Sequence, residues 1–431
     1  MEELPTKKSF RQYLYFMTGQ QFSLLGSGII GFVITWWITI ETQSVLYLSL
    51  ATFLIFLPQV IVTPFAGVLS DRLNRKTIIF TVDSLQAVLT FGLFLIFLTG
   101  FKPIWMILII HTMRSTLFAF QVPTFHAILP SMVPKDKISR VNGVNFLFSG
   151  LIFMVGPILS ALLLALFPIT YIFLIDVVTF LIAVVPLFLI KIPFNAKENR
   201  AFEKKSFMRE FKDGFKIVKA IPGLLSMIIF AMIFNFIFRP FGVLWPYFIN
   251  IIHDGSAFHL AFLFGSIQVG NVIGSLITSI KKEWKNKIKI NLVGEMVFFS
   301  FYLLIVIAPY QNFYLMMIGG FLGAIIFPIT VSTYLTILQT VVPSDKIGRV
   351  MSIDHTISMA IAPIGALLVG PLAGTMGVVN LLLASALMGI VNPIILWFFT
   401  KIRYLDHPLE PEIEVEPSPA QEVIELETQE I

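Results

Sequence analysis

The sequence is a succession of apolar blocks, each of about 20 residues or more, joined by short links that hold charge, proline or glycine. At a rise of 1.5 Å, about 20 residues cross a hydrocarbon core of roughly 30 Å. Lipid offers no water to backbone N–H and C=O groups, so segments that cross it separately do so as helices. A single water-soluble core is ruled out by composition: 57% of the residues are hydrophobic, 44 are Phe, and only 13% are charged, against about 25% in soluble domains. The expected fold class is all-α and polytopic. The absence of cysteine removes disulfides, thiolate metal sites and a thiol nucleophile.

The blocks predict twelve spans, near 13–40, 45–68, 77–100, 103–128, 139–166 and 169–190, then 222–250, 257–280, 289–309, 312–340, 347–374 and 377–400. An even count puts both termini on one side. Of the 30 Lys and Arg residues, 27 fall in the two termini and the links on that side, and the others are Lys102, Arg114 and Arg239. The positive-inside rule assigns this side to the cytoplasm, in the cell membrane. The net charge of +5 is then a topology signal, so the bilayer is an expected partner and nucleic acid is not. Residues Met1–Arg11 lack a small-residue cleavage site, so no cleaved signal peptide is expected.

This divides the chain into an N-terminal bundle (1–190), a linker (191–221), a C-terminal bundle (222–402) and a tail (403–431). In the linker, Phe207, Phe211, Phe215 and Val218 recur at helical spacing opposite a Lys-rich face, the pattern of a helix lying on an anionic leaflet. From Leu405 onward the tail has nine acidic residues, four prolines and no Lys or Arg, a composition that predicts disorder.

The two bundles carry an internal repeat. Val133-Pro-Lys-Asp-Lys-Ile-Ser-Arg-Val141 returns as Val342-Pro-Ser-Asp-Lys-Ile-Gly-Arg-Val350, with seven of nine positions identical at an offset of 209. The same offset aligns Phe118 with Phe327, Thr124 with Thr333 and Gly156 with Gly365. Each copy lies between the fourth and fifth span of its half, so the halves share one orientation. Parallel six-span halves are an arrangement of major-facilitator carriers.

The link after the second span, Gly67-Val-Leu-Ser-Asp71-Arg72-Leu-Asn74-Arg75-Lys76, resembles the signature loop of the major facilitator superfamily, with Asn74 in place of the usual glycine. Asn tolerates a left-handed backbone better than most residues. The resemblance implies a latch between the halves, with Asp71 facing the start of span eleven near Gly348 and Arg349. The second half has no good copy of this loop. His111-Thr-Met-Arg114-Ser resembles the superfamily's span-four arginine motif, associated with proton coupling in exporters, and a structural ion pair is the alternative. Gly156-Pro157 resembles part of the antiporter signature of span five, although small-residue helix packing would account for it too. The whole run resembles the macrolide-efflux branch of drug:proton antiporters: twelve helices in two pseudo-symmetric six-helix bundles.

Asp354, about seven residues into span eleven, is a second proton-coupling candidate or a member of an interfacial ion pair. Arg239 precedes Pro240, where the helix can break to line the cavity, and could hold an anionic group or pair with a carboxylate. Trp36, Phe120, Phe238, Trp245 and Tyr334 are candidates to line a greasy pocket, or to face core or lipid. Asp83, Asp176 and Glu295 fall on spans three, six and nine, where interfacial packing or helix-end pairing is expected. Neither a phosphate-binding glycine loop nor metal-ligand spacing nor a nucleophile motif is present, so no enzyme, cofactor or metal is expected. The expected function is proton-coupled efflux of a lipophilic or amphipathic small molecule by a monomer. The alternative is a carrier for a specific metabolite or anionic nutrient.

Overall fold

The computed structural model describes residues 6–190, 192–193, 207–281, 283–343 and 346–406; for Asp71, residues 207–213, Met359, Tyr404 and Asp406 it describes backbone alone. Spans one to five are Lys7–Thr42, Val45–Arg72, Arg75–Thr99, Ile104–Met132 and Lys135–Leu166. Span six joins Ile169–Ile172 to Leu174–Leu189, and span seven runs Leu224–Tyr247 and ends in a π-helical turn, Phe248–Ile252. Spans eight to twelve are Ala257–Ile280, Lys287–Val306, Phe313–Val341, Ile347–Met376 and Val378–Phe399. All twelve are long and apolar enough to cross a membrane. Leu189 and Phe399, 78% and 83% exposed, lie in positions that only lipid would make favourable.

Helix ends account for most differences from the expected boundaries. Span one starts at Lys7 because Thr6 and Ser9 form a reciprocal capping box. The Ser9 hydroxyl also donates to the Met132 carbonyl at 3.0 Å, tying that start to the end of span four. Asn74 has φ −64° and accepts the Lys76 N–H as the N-cap of span three, so its use is capping, not a left-handed backbone. Span seven does not break at Pro240: it is α-helical through to Tyr247, and the irregular turn follows Pro246.

Lipid tails are as apolar as Leu, so helices in a membrane associate through close packing and hydrogen bonds. Gly270 and Gly274 on span eight lie against the backbone carbonyls of Phe321 and Ile325 on span ten, and a Cβ at either would strike them. Gly319 lies against span nine, where a Cβ would meet the Phe301 carbonyl at 2.9 Å. Three helices of the C-terminal half are thereby pressed backbone to backbone.

The hydrophobic clusters show how the halves meet. One cluster combines residues of both halves, among them Ile34, Trp37 and Ala51 with Phe241, Leu244 and Ala366. It lies toward the face opposite the basic links. At the basic face the cores are separate: Tyr13, Phe16 and Met132 belong to an N-terminal cluster, and Val218, Leu338 and Val350 to a C-terminal one. At the far end span two packs on span eleven, where the Ser49 hydroxyl donates to the Ala366 carbonyl at 2.5 Å and accepts the Gly370 N–H at 2.9 Å. Span five packs on span eight through Ile158 and Gly265. The halves are joined at the far face and part toward the basic face.

The linker helix spans Phe207–Ala220. Of the expected apolar stripe, Val218 is fully buried in the C-terminal cluster with Phe215 packed against it, and the side chains of Phe207 and Phe211 lie outside the described residues. Gly214 sits on span eleven, where a Cβ would meet the Arg349 carbonyl and Cβ at 3.3 Å. Of the tail expected to be disordered, Ile402–Asp406 form a 3-10 turn with Leu405 buried at 6% exposure; residues 407–431 lie outside the described residues.

Gly274→Leu should destabilise the fold by about 1–3 kcal/mol through overpacking and lower the unfolding temperature in detergent by several degrees. Gly92→Leu, at a position with nothing within 4 Å, should leave that temperature nearly unchanged.

Candidate functional site

In the N-terminal half the charged residues form one buried polar lattice. Arg114, on span four, donates from Nη1 to Asp176 Oδ2 at 2.6 Å, and the side chains are 7% and 5% exposed. The same nitrogen donates to the Gln86 carbonyl at 3.2 Å and to the Thr90 hydroxyl. Thr90 donates to Asp176 Oδ2 at 2.6 Å, and Ser27 to Asp176 Oδ1 at 3.2 Å. Spans one, three, four and six thus converge on one ion pair. Gly26 provides the room, since a Cβ there would run into Thr179 and sit 3.3 Å from Asp176 Oδ1. His111, one turn before Arg114, is 8% exposed and neither ring nitrogen has a hydrogen-bond partner.

Asp83 lies along the same seam. Gln20 Nε2 donates to its Oδ2 at 2.9 Å and Gln121 Nε2 to its Oδ1 at 3.0 Å. Among the described residues no cation pairs with it. Asp83, Asp176 and Glu295, for which interfacial packing or helix-end pairing is expected, are 4%, 4% and 3% exposed, each inside its helix bundle, and Asp176 lies in the first turn of Leu174–Leu189. Asp176 in particular is the partner that Arg114 required. Sequence reasoning missed it because a helix on the periphery of a bundle still turns one face inward. The available signal was the rule that an intramembrane charge needs an opposite charge at a similar depth.

Two basic residues of the link after span two bond to carbonyls of their own half. Arg75 donates to the carbonyls of Ala127 at 2.8 Å and Ser70 at 3.4 Å. Lys76 donates to the carbonyls of Phe188 and Ile190 at 3.0 and 2.8 Å, covering the C-terminal end of span six as cations do at helix ends. Arg72 is exposed, and the Asp71 side chain lies outside the described residues. Gly67 has open space around it. Arg349 is exposed at the start of span eleven, with its backbone against the linker helix.

In the C-terminal half the polar residues surround space. A cavity of about 250 Å³ is bounded by spans seven, nine, ten and eleven and lined by Asn235, Asn291, Glu295, Tyr334 and Asp354 together with Phe230, Phe234 and Phe327. Tyr334 donates its hydroxyl to Asp354 Oδ1. Asn392 Nδ2 donates to Glu295 Oε1 at 3.2 Å. Asp354 and Tyr334 thus come together in one cavity with Glu295, which the sequence placed on a peripheral helix.

Arg239 stands apart. Its guanidinium lies over the Phe56 ring of span two, 4.6 Å from the centroid, and its Cβ and Cγ cover Gly365 of span eleven. Its Nε is buried without a hydrogen bond, so it marks a crossing of the two halves. Trp36 and Trp245 are buried in the shared far-face core at 7% and 2% exposure. Phe238 is half-buried in a stack with Phe234, Phe241, Phe298 and Tyr302. Phe120 is half-buried on span four. Gly156 is buried, and a Cβ there would reach Leu25 of span one at 3.9 Å, an ordinary contact; Pro157 follows it inside an unbroken helix.

Asp176→Asn should strand a buried arginine and cost about 3–5 kcal/mol, read as a lowered denaturation midpoint of the purified protein. Asp176→Leu combined with Arg114→Leu should cost less than the sum of the two single changes, because neither charge is then left alone.

Comparison with known proteins agrees with this architecture. The family described as transmembrane secretion effector matches residues 6–429. Macrolide efflux protein A of Streptococcus pyogenes is 26% identical over 390 residues, covering 90% of this chain and 96% of its own. The staphyloferrin A transporter of Staphylococcus aureus is 23% identical, covering 87% of this chain and 92% of its own. The crystal structure of the nucleoside transporter NupG superposes with a TM-score of 0.68 at 10% identity, covering 90% of this chain and 98% of that one, a likeness of fold. The chain belongs to the transmembrane secretion effector family and is a multi-pass membrane transporter with the major-facilitator fold.

Proposed function

We propose that this protein exports amphipathic, macrolide-like compounds in exchange for protons, by rocking of its two halves. The observation that carries the reading is the asymmetry of the core: one continuous cluster joins the halves at the far face, and two separate clusters stand apart at the basic face. Such a molecule offers its interior to one side, and breaking the far seam while closing the near one would offer it to the other. The relative named for macrolide efflux, matched over 90% of this chain, supports the cargo. The 27 basic residues on one side support a cytoplasmic location for both termini in the cell membrane.

Proton exchange needs a group that can change charge while the interior changes sides. Asp354 suits this, because it lines a cavity with no Lys or Arg, has Tyr334 as a hydrogen-bond donor and has the exposed His355 as its basic neighbour. Arg114 suits a different role, since Asp176 already holds its charge; we assign it to keeping the N-terminal half rigid while the halves move. Transport of an anionic nutrient would call for an arginine to bind it; Arg114 is engaged by Asp176, which leaves Arg239, stacked on Phe56, as the residue for that reading. The kinship with a staphyloferrin transporter keeps a specific metabolite as the second reading.

Everted membrane vesicles with an inside-acid gradient test the proposal. Adding a macrolide should collapse the gradient in wild type. Asp354→Asn, inserted at normal levels, should slow the collapse at least ten-fold, the scale of a lost proton-transfer group. If no macrolide or lipophilic dye disturbs the gradient, export is refuted and a specific metabolite becomes the cargo to seek.

A further inference from the structure

The cavity of the C-terminal half has a composition that the general reading leaves unused. It holds two carboxyl groups, Glu295 and Asp354, with no Lys or Arg in its lining. Glu295 is 3% exposed, and its single hydrogen-bond partner among the described residues is the neutral amide of Asn392 on Oε1, which leaves Oε2 without a donor. Of the basic residues on the same helices, Lys289 lies over Trp397 at 5.7 Å and Arg239 over Phe56 at 4.6 Å, and Lys287, Arg349 and His355 are outside the lining. A buried carboxyl group needs a donor or a cation; among the described residues no Lys or Arg lines the cavity, and the exposed His355 acts on Asp354 and not on Glu295.

The walls narrow the identity of the missing partner. Phe230, Phe234, Phe327 and Tyr334 bring aromatic rings to the same space. Ring faces attract organic cations, while a bare metal ion calls for a close shell of oxygens. Size points the same way. About 250 Å³ is far more than the roughly 30 Å³ share of one water, yet less than the ~300–1,000 Å³ of sites that enclose a whole drug-sized ligand. Such a space suits a headgroup whose larger body stays outside. Asn235 and Asn291 add neutral polar groups able to bond substituents beside a charged nitrogen.

We propose that this cavity is the subsite that fixes the protonated amine of an amphipathic substrate, with Asp354 and Glu295 as its counter-charges and the aromatic rings as its walls. The proposal rests on the export reading above and deepens it: the C-terminal half recognises the charge, and the rest of the cleft takes the apolar body. Glu295 becomes a specificity-determining residue, although its helix is peripheral. The N-terminal half cannot serve in the same way, because its lattice is filled by protein side chains.

Equilibrium binding to the purified full-length protein, with no ion gradient, tests this with two probes. One is a macrolide bearing a tertiary amine; the other is the same macrolide N-demethylated and acetylated to a neutral amide. Wild type should bind the amine more tightly than the amide. Asp354→Asn and Glu295→Gln should each weaken amine binding about ten- to hundred-fold, the loss of a charge-assisted hydrogen bond, and leave amide binding unchanged. Asp354→Glu should recover most of the amine affinity. Unchanged amide binding also shows that a variant is folded; if Asp354→Asn does not fold, Glu295→Gln and Asp354→Glu carry the test. Equal weakening of both probes, or full amine affinity in both neutralised variants, overturns the subsite. Export of the amide by wild-type vesicles would uphold the transport reading even then, so the two failures are distinguishable.

Discussion

An arginine side chain ten residues inside a membrane helix (114 − 104) sets the terms for the N-terminal half. Placing it alone at mid-membrane costs roughly 2.5–3.5 kcal/mol on insertion scales. The chain offsets this with one carboxylate, Asp176, and with hydroxyls that hold that carboxylate in place. Four helices have to agree on their rotation for these bonds to form together. Gly26 matters for the same reason, as any larger residue would push span one away from Thr179 and Asp176. Polar bonds of this kind supply the orientational specificity that contacts between apolar helices in lipid lack.

Beneath different electrostatics the two halves keep a common plan. Asp83 lies eight residues into span three (83 − 75), and Glu295 eight residues into span nine (295 − 287). Both are buried, and both receive a side-chain amide from another helix, Gln20 and Gln121 in one case and Asn392 in the other. In the N-terminal half the one buried arginine, Arg114, pairs with Asp176, and Asp83 is held by the amides of Gln20 and Gln121. The C-terminal half has no counterpart of Arg114: the repeat offset brings it to Gly323, which lies against Phe301 and Tyr302 of span nine. With no arginine there, the carboxyl groups of that half face a cavity. Duplicated halves have become one whose buried arginine is paired within the protein and one whose carboxyl groups line a cavity.

The number of helices and their grouping were legible in the sequence because hydrophobic thickness and charge asymmetry act locally, on stretches of about 20 residues. The repeat was legible where its offset is constant. It hid the kinship of Asp83 and Glu295, which are 212 residues apart (295 − 83) and not 209. Partner choice was not legible. Arg114 and Asp176 are 62 residues apart, and only the packing of spans three, four and six brings them together. Pro240 carried a misleading signal: a proline lowers the cost of a break, but neighbouring helices in a membrane can hold the chain helical through it. The linker stripe marked a helix, and Val218 of that stripe is covered by protein, since amphipathicity states that a face must be covered and not by what.

The same geometry bears on how the halves could exchange one closed face for the other. The far seam is held by few polar bonds, chiefly those of Ser49 with Ala366 and Gly370, and by Arg239 stacked on Phe56. Each neutral bond is worth about 1 kcal/mol net, so opening that seam is a modest cost if comparable contacts form at the basic face. Gly67 on span two, Gly143 on span five and Gly348 on span eleven lie toward that face with open space where a side chain would be. Small residues at those positions let helix backbones approach closely. Arg75 and Lys76 already cap the ends of spans four and six, so they can brace the loop without leaving their own half. Arg72 of the same loop is exposed, and the linker helix packs on the start of span eleven at Arg349. On the alternating-access reading, closure at the basic face would bring the span-two loop toward a start of span eleven that the linker helix already covers at Arg349 and Ile353.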